Sequence, residues 1–273
     1  MNTAMTVTGA QGLAGLNPLS KIAAVLPAMV FVALTTDAWA PLAVAGLTLA
    51  VLLLFGNVSL GRLLRALAPA GLIVIGFLLF YPWVVRRELV AHTPVWFEAG
   101  RWVIHEGAVL LGLTAGLRVF AFVALTMIFN LTTDAHDFAR ALVQQARLPY
   151  RAGYAAMAAL RFAPLLRNEL NVIRAAHRLR GLGDAGNLRE RLDMFWRTAV
   201  PLLASAIRRA ERAALAMDGR AFGAYATRTD LRRIMFTWRD AAFVAGFWLM
   251  LVLAALALWQ LGLLGPLAFI QRV

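Results

Sequence analysis

Two arginines stand beside a glycine at the ends of alanine-rich runs. One run is Ala175-Ala176-His177-Arg178-Leu179-Arg180-Gly181, and the other is Ala213-Ala214-Leu215-Ala216-Met217-Asp218-Gly219-Arg220-Ala221. The chemistry such an arginine offers is recognition. A planar guanidinium at the tip of a rigid helix can fork onto carboxylates or backbone carbonyls in a partner's groove, which a lysine does less specifically. An arginine in a last helical turn is also favoured by the helix dipole, by about 0.3–1 kcal/mol, with no partner at all. Two such ends within forty residues of each other favour the docking reading.

Other chemistry is missing. A phosphate-cradling glycine loop needs a lysine just after its glycines. The only lysine of the chain, Lys21, follows Ser20, with no such loop before it. His92, His105, His136 and His177 are scattered, and none pair at the i, i+4 spacing of a metal-binding helix. There is no cysteine, which excludes disulfides, thiol chemistry and cysteine-ligated zinc. The sequence therefore argues against an enzyme.

The elements around the two arginines are of two kinds. Hydrophobic residues make up 61% of the chain, with a mean hydropathy of +0.71, far above a soluble enzyme. The formal charge is +13, and the segment from Ala139 to Arg239, with nineteen arginines against seven acids, accounts for nearly all of it. A basic segment of that size in a membrane protein is expected on the cytoplasmic side, because positive charge resists translocation. Its arginines are threaded with Leu, Ala, Ile and Met at helical spacing, which a nucleic-acid-binding arm would not need, so no nucleic-acid partner is expected.

Five apolar runs surround it: Ile22–Leu34, Pro41–Phe55, Ala66–Val85, Gly107–Leu131 and Ala241–Leu264. The first two have 13 and 15 residues, short of the roughly 20 that span a bilayer upright, and are read as two short spans. Pro69 and Pro82 permit bends in the third. In the fourth, Gly112 and Gly116 form a small-xxx-small pair that lets another helix approach. Arg118, midway along that span, either pairs or snorkels within the bundle or contacts another membrane subunit. Trp238 and Trp259 bracket the fifth; twenty-one residues at 1.5 Å per residue make about 31 Å, the thickness of the hydrocarbon core. Residues 86–106 read as a polar connection, and Met1–Leu16 as a short uncharged tail rather than a cleaved signal.

Lys21, Arg62, Arg65 and the basic segment fall on one side of this topology, which places the N-terminus inside and the C-terminus outside. Arg86, Arg87, Arg101 and Arg272 dissent but are outnumbered. The fold expected is an all-α integral membrane protein of about five transmembrane helices, with about three amphipathic helices between the fourth and fifth. The divisions are 1–131, 132–239 and 240–273.

Within 132–239, Thr132-Thr133-Asp134 is a helix-start signal. A second helix, about Arg151–Arg180, stops at Gly181-Leu182-Gly183 and should bend or restart at Pro164. A third, about Leu188–Arg220, should break or bend at Pro201. Beyond Pro201, Leu203, Ile207, Ala210, Ala214 and Met217 share one face, whose small residues would let two helices cross closely.

The order of these features resembles the transmembrane T component of energy-coupling factor (ECF) transporters, the vitamin- and metal-uptake branch of the ABC systems. The shared motifs are Pro18-Leu19-Ser20-Lys21 before the short helices, Leu131-Thr132-Thr133, Arg161-Phe162-Ala163-Pro164, and two arginine-centred triplets on the long basic helices. The triplets are commonly Ala-Arg-Gly in that family. Here they are Leu179-Arg180-Gly181 and Gly219-Arg220-Ala221, the second with glycine and alanine transposed. The resemblance covers about residues 16–264.

The resemblance implies a scaffold in a prokaryotic cell membrane that joins two cytosolic P-loop ATPases to a small substrate-binding membrane subunit. Residues 179–181 and 219–221 would dock the ATPases. Gly112, Gly116, Arg118, Ala210, Ala214 and Met217 are candidates for helix packing or subunit contact. No cofactor would bind this chain, since ATP and magnesium would sit in the ATPases. Two other readings stay open: a membrane-anchored module whose basic helices lie on anionic lipid, and a conventional permease subunit.

Overall fold

The computed structural model describes residues 12–85, 93–99, 102–181, 187–225, 229–230 and 232–265. Most of the tail, His92, and the dissenting arginines at 86, 87, 101 and 272 lie outside that set. Among the described residues there are eight α-helices, and one two-stranded hairpin is the only sheet. The helices form two compact units, a membrane unit of residues 12–134 and 234–265 and an arginine-rich unit of residues 135–233.

A 3-10 turn, Gly12–Gly15, leads into the membrane unit, which holds α1 (Pro18–Leu34), α2 (Trp39–Phe55), α3 (Leu60–Val84), α4 (Glu106–Thr132) and α8 (Trp238–Gln260). Helices α3, α4 and α8 are each long and apolar enough to cross a bilayer. Helices α1 and α2 extend their apolar runs by four and two residues, reaching 17 each, about 26 Å at 1.5 Å per residue. Alanines, β-branched residues and leucines make much of the core: Ala24, Ala28 and Val32 of α1, Val44 and Leu52 of α2, and Ala121, Ala124, Leu125 and Ile128 of α4. Large side chains such as Leu72, Phe80, Val84 and Leu249 stay exposed, as lipid-facing residues do. Trp238 and Trp259 are exposed near the two ends of α8.

Connection 86–106 is less irregular than its polarity suggests. Strand β1 (Val95–Ala99) pairs antiparallel with β2 (Trp102–His105) in a hairpin. Its signal was the density of aromatic and β-branched residues, which suit a pleated strand.

Gly112 and Gly116 do what their spacing suggests, against α3. A Cβ at Gly112 would meet the Phe77 carbonyl oxygen and Tyr81 Cβ, both at 2.9 Å, and one at Gly116 would meet Val74 Cα at 3.0 Å. Gly112→Val is therefore expected to destabilise the membrane unit by about 1–3 kcal/mol, the usual cost of overpacking. Gly76→Val, where an added Cβ meets nothing within 4 Å, is the neutral comparison. Thermal unfolding of the two variants in detergent checks the difference.

The arginine-rich unit holds α5 (Ala135–Gln144), α6 (Tyr150–Leu179) and α7 (Leu188–Asp218). Gly153 lets α6 sit on α5, where an added Cβ would fall 1.9 Å from Val143 Cγ2. Asp137, in the first turn of α5, pairs with Arg140 at 3.1 Å and Arg232 at 3.0 Å. Gln144 donates to the Arg232 carbonyl at 2.9 Å. Helices α6 and α7 run antiparallel, because His177 meets Arg197 while Glu169 meets Arg209.

Of the alternatives expected at Pro164 and Pro201, a bend or a new helix, the second does not occur: both lie inside continuous α-helix. Proline frees the carbonyl four residues back, which for Pro201 is that of Arg197. His177 Nε2 lies 3.3 Å from it, so the tautomer protonated at Nε2 replaces the lost bond. The same device acts in α1, where Pro27 frees the Ala23 carbonyl and the Trp248 indole N–H donates to it at 3.3 Å. Pro164 is exposed, and water can serve its freed carbonyl.

Candidate docking site

Helix α6 ends on Arg180, whose N–H bonds the Ala176 and His177 carbonyls at 3.3 and 3.1 Å. Gly181 follows in the left-handed region, φ +76, and its N–H bonds the Arg178 carbonyl at 3.0 Å. This is the glycine stop expected from sequence, where a residue without Cβ takes the left-handed turn at no steric cost.

Helix α7 ends the same way with a different residue in the strained place. Phe222 N–H bonds the Met217 carbonyl at 3.0 Å and Ala221 N–H bonds the Asp218 carbonyl at 2.9 Å, the paired pattern of a Schellman end. Gly219 is helical at φ −61, whereas Ala221 is left-handed at φ +56. The transposition of glycine and alanine therefore leaves the arginine where it was. In both helices it is the last residue before the chain turns left-handed.

A left-handed alanine costs about 1–2 kcal/mol, and glycine's extra unfolded-state freedom returns about 0.5–1 kcal/mol of that. Ala221→Gly should leave function unchanged and raise the stability of the arginine-rich unit by roughly 0.5–1 kcal/mol. Denaturant unfolding of the variant against the parent checks this.

Aromatic packing at the start of α6 holds the second end. Phe222 sits between the rings of Tyr150 and Tyr154, at centroid distances of 5.7 and 5.1 Å. Tyr150 donates to the Tyr225 carbonyl at 2.8 Å, and Arg151 donates to the Gly223 carbonyl at 2.9 Å. Sequence reading passed over these residues, because the aromatics that meet lie some seventy positions apart. Arg220 thus lies by the start of α6 and Arg180 at its end. With α6 at 30 residues and α7 antiparallel to it, the two arginines stand on the order of 40 Å apart at 1.5 Å per residue.

Leu179, Arg180, Gly181, Gly219, Arg220 and Ala221 are all exposed, with Leu179 at 90%. Among the described residues, neither the Arg180 nor the Arg220 side chain has an ion pair or hydrogen bond within the chain, unlike Arg140, Arg197, Arg209 and Arg232. His177, one turn before Arg180, turns onto α7.

The face of Leu203, Ile207, Ala210, Ala214 and Met217 is largely uncovered within the arginine-rich unit. Leu203, Ile207, Ala210 and Ala214 are exposed and Met217 half-buried. The contact with α6 is made one strip over, by buried Thr198 and by Arg209, which pairs with Glu169 at 3.9 Å. Beside this strip the two helices leave an apolar groove of about 860 Å³ lined by Leu166, Leu170, Met194, Phe195 and Leu203, with Arg174 and Arg191 at its edge.

In the membrane unit, charges sit at helix ends of opposite polarity. Arg118 Nη2 donates to the carbonyl of Thr35, the C-cap of α1, so it pairs within the bundle. Lys21, fully buried, donates from Nζ to the Thr132 carbonyl at 2.7 Å and Thr133 Oγ1 at 3.1 Å, at the C-terminus of α4. Cations there meet the negative end of the helix dipole and satisfy orphan carbonyls. The Pro-x-x-Lys and Leu-Thr-Thr motifs thus meet side chain to backbone. Asp240, 1% exposed, caps α8 through Oδ2, which accepts from Thr237 N and Oγ1 at 2.8 and 2.7 Å. The sequence signal for it was the capping-box spacing Thr237-x-x-Asp240.

A bundle of apolar helices with charges at helix ends, joined to a basic helix pair with two exposed arginine tips, defines a membrane component. Residues 9–231 match the family model described as cobalt transport protein, CbiQ. The chain is 29% identical over 219 residues to the energy-coupling factor transporter transmembrane protein EcfT of Bacillus subtilis, covering 77% of this chain and 82% of that one. It is 31% identical over 182 residues to EcfT of Exiguobacterium sibiricum, 64% of this chain and 69% of that one. With EcfT of Staphylococcus aureus it shares 31% over 192 residues, 67% and 70% of the two chains. The chain belongs to the CbiQ cobalt transport protein family, the transmembrane T components of energy-coupling factor transporters.

Proposed function

We propose that this chain is the scaffold of an ECF-type importer that joins two cytosolic P-loop ATPases to a small substrate-binding membrane subunit. The observation that carries the reading is the pair of exposed arginines, built into the same helix-end geometry about 40 Å apart and uncommitted within the described chain. Arg180 and Arg220 each enter a docking pocket in one ATPase, where ATP and magnesium are bound. Closing and opening of the ATPases then moves α6 and α7.

The exposed face at Leu203, Ile207, Ala210 and Ala214, apolar and rich in small residues, takes the small membrane subunit that binds the vitamin or transition metal. The arginine-rich unit and the N-terminus are cytoplasmic in a prokaryotic cell membrane, by the positive-inside bias. A pull-down of the tagged chain from native membranes in mild detergent, with mass spectrometry, tests this. P-loop ATPases and one small hydrophobic protein are expected; the chain alone with anionic lipid would favour the lipid-lying module instead.

A further inference from the structure

The chain leaves the membrane unit after residue 134 and re-enters it at residue 234. Both passages are tied to the first turn of α1. Lys21 holds the outgoing one through the Thr132 carbonyl and Thr133 Oγ1. Asp240 holds the incoming one through Thr237, and its Oδ1 accepts from Asn17 N–H at 2.6 Å and Ser20 Oγ at 3.0 Å. Asn17 and Ser20 are 3% and 2% exposed, so water does not compete for these bonds.

We infer that residues Asn17–Lys21 form a fixed mount for both passages, with Lys21 and Asp240 as positioning residues that hold the ends of α4 and α8 in register. A buried ammonium and a buried carboxylate are costly to desolvate. Core packing of α1 alone would be served by apolar residues at these positions, whereas charged groups with directional bonds fix where the two ends lie. The consequence for transport rests on the function proposed above: movement of the arginine-rich unit would enter the membrane unit at one rigid point instead of being lost in two slack connections.

The mount itself can be tested on the full chain alone, so that failure of the mount and failure of the importer reading are separable. The chain has no cysteine, and Asn130 in the last turn of α4 and Met235 just before α8 are both exposed. Spin labels on Asn130→Cys and Met235→Cys, in lipid nanodiscs, report the separation of the two passages by pulsed electron resonance. A narrow distance distribution is expected for the parent. Lys21→Met and Asp240→Asn should each broaden it roughly twofold as the tied ends gain local freedom, and Lys21→Arg, which keeps a donor cation, should restore most of the narrowness. A width unchanged in Lys21→Met would overturn the mount. So would loss of folding in Lys21→Met together with a parental width in Thr133→Val, since the lysine would then be a core residue only.

Discussion

Arg180→Ala combined with Arg220→Ala should abolish uptake while leaving membrane insertion and the amount of chain unchanged. Truncating one partner of a charge pair in a desolvated docking pocket costs about 2–5 kcal/mol, so either single variant should weaken ATPase association by at least about thirtyfold. The double variant should retain no ATPase on purification. Folding is expected to survive, because both side chains are exposed and make no ion pair or hydrogen bond among the described residues. Substrate uptake by cells, with copurification of the ATPases, checks both halves. Normal uptake with normal copurification would remove these arginines from the mechanism.

The largest stability effect is expected at Asp240. Its carboxylate serves the first turn of two helices at once, accepting from Asn17 and Thr237 amides and from two hydroxyls. Asp240→Ala leaves the buried Asn17 amide orphaned, at about 1–3 kcal/mol, and removes the α8 cap at Thr237, worth about 1 kcal/mol. A loss of at least about 2 kcal/mol follows, on the order of 5 °C in Tm for a unit of this size. Trp238→Ala, two residues away and exposed, should change Tm far less. Differential thermal unfolding of the two variants in one detergent is the check, and equal shifts would contradict the role given to the carboxylate.

Much of the helical plan was legible because helix ends carry local chemistry. Thr132-Thr133-Asp134 precedes α5, Gly181 takes a left-handed turn after Arg180, and glycines at i, i+4 admit α3. The prolines left a bend and a break open, because their effect depends on what serves the freed carbonyl. At Pro201 the freed carbonyl is met by His177 of α6, a partner that local sequence does not name. Arg118 and the face at Ala210 and Ala214 were ambiguous for the same reason. Periodicity says that residues share a face, not what covers it, and the strip that packs on α6 lies next to the more apolar one. Of the candidate docking site, the two exposed arginine tips were legible from type and position. The buttress of Tyr150, Tyr154 and Phe222 was not, since it joins residues that only the antiparallel pairing brings together.

The most direct measurement is photo-crosslinking from the two helix ends. A benzophenone maleimide on Leu179→Cys or on Gly219→Cys, in the otherwise cysteine-free chain, samples what lies against each arginine in native membranes. Each position should crosslink to a nucleotide-binding subunit, with the products lost when the neighbouring Arg180 or Arg220 is alanine. Crosslinks confined to lipid or to other copies of this chain, unaffected by the arginine substitutions, would contradict the docking role of both ends.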